Sequence, residues 1–205
     1  MSARGGTWDE SEESTDLRVR RRVELRAHVV RVATALFRER GYEPVTVDEI
    51  AQAAGVSKRT LFRHFSSKEE ILLGNARQLG QELARLDLAA MDAPAVLGAV
   101  EDIYAAMLER MVADQTALQV QQVIGQSERL RQAAHSLHRE LMDDLRIHLA
   151  QTGGPDGGLI GRLVIEISTG TLHAALDEWV GATGHEMDLR QLYQRARAQA
   201  RQLLR

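Results

Sequence analysis

The segment SKRTLFRH, residues 57–64, holds six side chains that can hydrogen-bond an anionic or base-edge partner: Ser57, Lys58, Arg59, Thr60, Arg63 and His64. Arg and Lys reach guanine edges, and Ser, Thr and His reach phosphate oxygens or bases, so the set suits recognition of duplex DNA. Bond-making chemistry has no comparable constellation. The chain has no cysteine, which excludes disulfides, thiolate metal sites and cysteine nucleophiles. It also lacks a phosphate-cradling glycine loop after a strand, a G-x-S-x-G elbow and an H-E-x-x-H pair, so no enzyme activity is expected. His135 and His138 share a helix face at i, i+3, with Glu140 and His148 nearby, but no second pair has metal-ligand spacing. Neither a metal nor another cofactor is expected.

Donors in a row are useful only if a frame aims them, and the flanking residues supply one. Thr46 and Glu49 form a capping box, with Val45 and Ile50 placed as a hydrophobic staple. Val47, Ile50, Ala51 and Ala54 make a short apolar stripe that Gly55 closes. Ser57 then caps a second short helix, with Val56 and Leu61 as its staple. Two short helices around a glycine turn form a helix-turn-helix, and small Ala51 lets the axes approach. Leu61 and Phe65 point inward, leaving the donor set outward. Upstream, Val29, Ala33, Leu36 and Phe37 mark one face of a helix over 21–40, ended by Gly41. A further capping box, Ser67 to Glu70, opens a long helix over 69–89. That helix is expected to run unbroken into the rest of the chain as a rigid strut, with Lys68 beside the donor surface.

Over Val23 to Leu73 the sequence, including ALFRERGYEPVTVDEIAQAAGVSKRTLFRHFSSKEEIL, resembles the TetR family of bacterial transcription regulators. The resemblance implies a homodimer that binds a palindromic operator through an N-terminal three-helix unit. It also implies a C-terminal helical domain that dimerises and encloses a ligand pocket, with ligand binding releasing DNA. By position, Thr46, Ser57, Lys58, Arg59, Thr60, Phe62, His64 and Lys68 match the family's DNA contacts. Thr46, Thr60, His64 and Lys68 match phosphate contacts; Lys58 and Arg59 match base-reading positions. Phe62 stands where the family commonly has Tyr, so it cannot donate to a phosphate. Packing against sugar or a thymine methyl and packing into the core are both open to it.

The formal charge of −3 hides an asymmetry that agrees with this reading. Residues 17–68 carry twelve Arg and Lys against five acids, while residues 1–16 and 69–205 are net acidic. A basic block between acidic ones is an electrostatic footprint for a polyanion. Arg18, Arg20, Arg21 and Arg22 precede the expected first helix; a minor-groove arm and a solvated helix end are both open to them. Three regions follow: a disordered tail over 1–16, a DNA-binding domain over 17–68 and a helical ligand-binding and dimerisation domain over 69–205. The tail has too little apolar surface to order itself. No signal-peptide pattern and no unbroken apolar run of about 18 residues occurs, so a cytoplasmic protein without a membrane partner is expected.

Beyond Leu73 the 3.6-residue pattern predicts helices over 94–112, 115–125, 127–151, 158–181 and 188–204, which makes the chain all-α. The 158–181 segment is apolar over more than one stripe and must bury more than one face. Together with the amphipathic tail it can supply a dimer surface. Met107, Met111, Leu118, Gln122, Leu137, Leu141, Leu145 and His148 could line a cavity for an apolar effector or simply pack a core. Two rivals to a ligand-responsive repressor are an enzyme and a helical module with a protein partner.

Overall fold

A computed structural model describes residues 10–74, 76–83, 85–86, 91–152, 156–181 and 188–203; the side chains of 10–16, 76–78, 144, 148 and 152 lie outside the description. The described residues form ten helices and no strand: α1 (Glu10–Arg40), α2 (Val47–Ala53), α3 (Lys58–His64), α4 (Lys68–Leu73), α5 (Ala76–Leu83), α6 (Ala93–Ala113), α7 (Gln115–Gln126), α8 (Glu128–Thr152), α9 (Gly157–Gly181) and α10 (Leu189–Leu203).

The turns arise from residues that tolerate them. Gly41 and Gly55 take left-handed φ values of +82° and +67°, which end α1 and turn α2 into α3. Thr46 accepts from the Glu49 amide at 3.2 Å while the Glu49 carboxylate accepts from the Thr46 amide at 2.8 Å, completing the capping box. Ser57 and Ser67 accept from the amides of Thr60 and Glu70, both at 3.1 Å. The last box is only half built, because the Glu70 carboxylate accepts from the Ser66 amide instead.

Two expectations about the helices are corrected. The first helix, expected from about Arg21, is described from Glu10 onward and so reaches into the 1–16 segment; residues 1–9 lie outside the described ones. A helix anchored downstream extends without a new nucleation cost, so its N-terminal turns need little apolar surface of their own. The arginines at 18–22 are therefore helical and exposed, not a flexible arm. The strut expected over 69–89 is interrupted at Gly74: α4 stops at Leu73 and α5 runs from Ala76 to Leu83, while residues 75, 84 and 87–89 of that expectation lie outside the described ones. Gly74 and Asn75 are weak helix formers.

Two apolar cores result. The first gathers Val29, Ala33, Phe37, Ile50, Leu61 and Phe65 with Ile71 and Leu72 of α4, and with Val120, Val123, Ile124 and Leu130 from the corner between α7 and α8. It therefore extends beyond residue 68. The second packs α5, α6, α8, α9 and α10 around Val100, Tyr104, Leu108, Met142, Leu172 and Trp179. By length and composition α9 could cross a bilayer; here it is the central helix of the second core, packed by α6, α8 and α10. Close approach of α8 requires Gly161, where a Cβ would come within 3.0 Å of the Leu149 Cβ.

Candidate nucleic-acid interface and adjoining cavity

The local caps hold α3 on the surface with Leu61 and Phe65 buried and the opposite face open. Lys58, Arg59, Phe62 and Arg63 are exposed there. Arg59 and Arg63 have no hydrogen-bond or ion-pair partner among the described residues, so both guanidiniums are available. Lys58 pairs with Asp48 of α2 at 2.9 Å, a contact between two exposed side chains that water or a base edge can replace at little cost. Phe62 is 46% exposed, so of its two open roles the core is excluded. Ser57 and Thr60 are partly spent on the cap, their hydroxyls 2.9 Å apart. Thr46 likewise donates to Glu49 at 2.8 Å. Backbone and side-chain hydrogen bonds from Thr46, then Arg40, hold the Glu49 carboxyl at about 2.

His64 is half-buried at the end of α3, and its Nδ1 has no hydrogen-bond partner among the described residues. Burial, then the charges of Arg63, Arg22 and Arg26, hold its pKa below the usual range. Arg26 is a residue that the sequence reading passed over. Its guanidinium lies 4.3 Å from the Phe65 ring centroid, donates to the His64 carbonyl and sits 3.9 Å from Glu70. It lies on the face of α1 that carries Val29, Ala33 and Phe37, and an arginine in an apolar stripe was the available signal.

The expectation for Lys68 is corrected. Its ammonium donates to the carbonyls of Tyr42, Glu43 and Val45 at 2.8, 3.3 and 2.9 Å and lies 4.0 Å from the Tyr42 ring centroid. Three donors meet three carbonyls, so Lys68 ties the loop before α2 to α4 instead of reaching for phosphate. Its pKa is lowered, chiefly by burial.

Behind this unit lies a cavity of about 310 Å³ bounded by α4, α5, α6, α7, α8 and α9. Met107, Met111, Leu137 and Leu141 line it as expected. Gln122 does not: the lining face of α7 is Ala117, Val120, Gln121 and Ile124, and Gln122 falls one residue out of phase. Leu118 and Leu145 pack in the second core, and the side chain of His148 lies outside the described ones. His135, His138 and His173 form a wall that the sequence did not assemble, because His173 arrives from α9. Among the described residues no group of three or more His, Asp or Glu is arranged to hold a metal; the His135 and His173 rings stack at 4.0 Å rather than converge on a point.

Val120 and Ile124 belong both to the cavity wall and to the first core. Beside them Ser127 donates to the Glu43 carboxylate at 2.8 Å, and Arg129 pairs with Glu69 at 2.7 Å. The cavity and the frame of α3 therefore share side chains directly.

Residues 29–74 match the model of bacterial regulatory proteins of the tetR family. The transcriptional regulator TcmR of Streptomyces glaucescens is 49% identical over 57 residues, 28% of this chain and 25% of that protein. The matches to TcmR and two other curated regulators, MftR and FasR, thus span about a quarter of their length. A longer match, 26% identical over 78% of this chain and 80% of the relative, is to the regulator YdeS of Bacillus subtilis. In fold, the chain resembles the regulator FadR of Bacillus subtilis with a TM-score of 0.56, at 23% identity over 85% of this chain and 96% of that one.

Proposed function

From the match of residues 29–74 to the tetR-family model and the identity to TcmR, we propose that the chain is a TetR-type, non-enzymatic, cytoplasmic transcriptional repressor. In this reading it binds a palindromic DNA operator as a homodimer and is released by a small apolar molecule. The observation that carries the reading is the sharing of Val120 and Ile124 between the cavity wall and the core that aims Arg59, Phe62 and Arg63. A ligand changes DNA affinity only by binding the two conformations differently, and occupants of this wall press on that core. The crystal structure of Bacillus subtilis FadR is a complex with stearoyl-CoA, and that of SmeT a complex with triclosan, which supports a small-molecule effector here. Curated relatives that include KstR2 are named repressors.

The dimer surface we assign to α9 and α10, with Leu159, Leu163 and Leu203 exposed. It should place the two α3 helices about 34–36 Å apart, one turn of B-DNA. Sedimentation should give a dimer at micromolar concentration, and a selected operator should show a two-fold repeat. Binding that neither discriminates sequence nor weakens steeply with salt would overturn the reading.

A further inference from the structure

Three imidazoles stand on the polar side of the cavity, with His135 exposed and His173 half-buried, and they are not all occupied. His138 Nε2 lies 2.7 Å from the Tyr104 hydroxyl and 3.1 Å from Thr169 Oγ1, which hold that ring. His135 and His173 stack at 4.0 Å with 13° between planes, and His173 meets His138 at 5.7 Å and 60°. Neither His135 nor His173 has a hydrogen bond among the described residues. A neutral imidazole always carries one N–H donor and gains a second on protonation.

The other polar groups are placed as follows. On α6, Arg110 is bound to Glu82, and Asp114 caps α7 by accepting from the Thr116 amide. On α8, Arg131 is bound to Glu128 and the Gly125 carbonyl. On α7 stands the neutral Gln121, and on α9 the exposed Asp177, one turn from His173. The remaining lining is apolar. A ligand fitting this wall offers acceptors to two unspent ring donors and is otherwise hydrocarbon.

We infer that the cavity takes an apolar monocarboxylate, its head on His135 and His173 and its body among Met107, Leu141 and Leu176. The inference rests on the cavity being an effector site. It also predicts a proton linkage. Burial holds His173 below its usual pKa in the empty cavity, with His135 lowering it and Asp177 raising it. A carboxylate against the ring favours the imidazolium, so the complex takes up a proton from buffer and binding tightens as pH falls.

The test is calorimetric titration of the full-length protein with decanoate, its neutral isostere decanamide and the cation decylamine, at pH 6 and pH 8 in two buffers of different ionisation enthalpy. Decanoate should bind about tenfold tighter than decanamide at pH 6, lose most of that advantage by pH 8 and take up a fraction of a proton. In a His135→Gln, His173→Gln variant, decanoate should fall to the level of decanamide, whose own affinity stays put. The isostere and buffer comparisons use the unaltered protein and so do not depend on the variant folding. Equal binding of decanoate and decanamide, tightest binding of decylamine, or retained acid preference in the variant would overturn the carboxylate assignment alone. Absence of binding by all three probes would overturn the effector-site reading with it.

Discussion

The two cores differ in the contacts that place their helices. The N-terminal unit is set by hydrogen bonds three residues apart: Thr46 to Glu49, Ser57 to Thr60 and Ser67 to Glu70. The C-terminal bundle is set by contacts between residues far apart in the chain. There the buried Glu101 meets Arg197 at 2.9 Å and Arg201 at 2.8 Å, and Tyr193 donates to the Glu101 carbonyl. Local capping fixes where each short helix starts and which way its side chains face, and tolerates loss of any one member. A buried carboxylate held by two guanidiniums does not, since removing it takes the Arg201 partner away and leaves Arg197 only the exposed Asp102.

Glu101→Ala should therefore have the largest effect on stability, a loss of about 3–5 kcal/mol, in the range for breaking a buried ion pair. Urea unfolding of the full-length protein measures it. Glu101 is only 1% exposed and docks α10 on α6, so the dimer should weaken in the same variant. A loss below about 1 kcal/mol would show that the bundle, too, is held locally.

Acid should separate the two regions next. Burial, then the charges of His173 and His135, holds His138 at about 4, below its usual value. The unfolded chain then binds a proton that the fold excludes, so this stabilisation is complete above about pH 6.5 and lost as pH falls toward 4. It amounts to at most roughly 3 kcal/mol. Glu49, at about 2, loses its contribution only as pH falls from about 4.5 toward 2. Fluorescence of the buried Trp179, read in a Trp8→Phe background, should change at higher pH than the helical signal of the N-terminal unit. Coincident transitions would merge the two regions into one cooperative block.

The same contrast explains what the sequence revealed. Ser57 and the Thr46–Glu49 box were readable because a cap is written within four residues, and α6 to α10 were readable from periodicity. The cavity was half readable. Met107, Met111, Leu137 and Leu141 have the right phase on their own helices, but Gln121 against Gln122 depends on which face of α7 meets α1. His173 joins His135 only through the packing of α9 on α8. Lys68 was misread for a related reason. Its carbonyl partners lie 23 to 26 residues upstream, and a lysine in a basic block has the composition of a phosphate contact whichever way it points. Gly74 was visible, but the two cores that divide the helix there were not.

Lys68→Met tests that correction directly. Methionine keeps the stem and removes three charge-assisted bonds, so the N-terminal unit should lose about 1.5–3 kcal/mol. DNA binding, measured where the variant is folded, should keep its dependence on salt. A salt slope flattened by about one unit with unchanged stability would return Lys68 to the phosphates.

Arg59→Ala is the complement, a change that DNA should feel and the fold should not. The side chain is exposed and has no hydrogen-bond or ion-pair partner among the described residues, so thermal stability should stay within about 0.5 kcal/mol. Loss of a bidentate base contact should cost about 1–3 kcal/mol on the cognate operator and relax one base position. A uniform loss across sequences would reassign Arg59 to the backbone of the duplex.

The smallest expected effect comes from adding a group. Phe62 presents its ring to solvent beside Arg59 and Arg63, so the hydroxyl in Phe62→Tyr enters open space and displaces no core atom. Without a partner it changes nothing in the free protein, and the melting temperature should hold. Beside DNA it gains one donor, and a hydrogen bond to phosphate in partial exchange for water should tighten binding by about 0.5–1.5 kcal/mol. A phosphate contact carries no base information, so the gain should be equal on cognate and mutated operators, and the salt slope should not steepen because no charge is added. The cavity is lined by other helices, so effector release should be unaltered. A gain confined to the cognate operator would mean that the ring reads a base edge. A loss would mean that the bare phenyl was already packed against a thymine methyl and that the hydroxyl pushes it away.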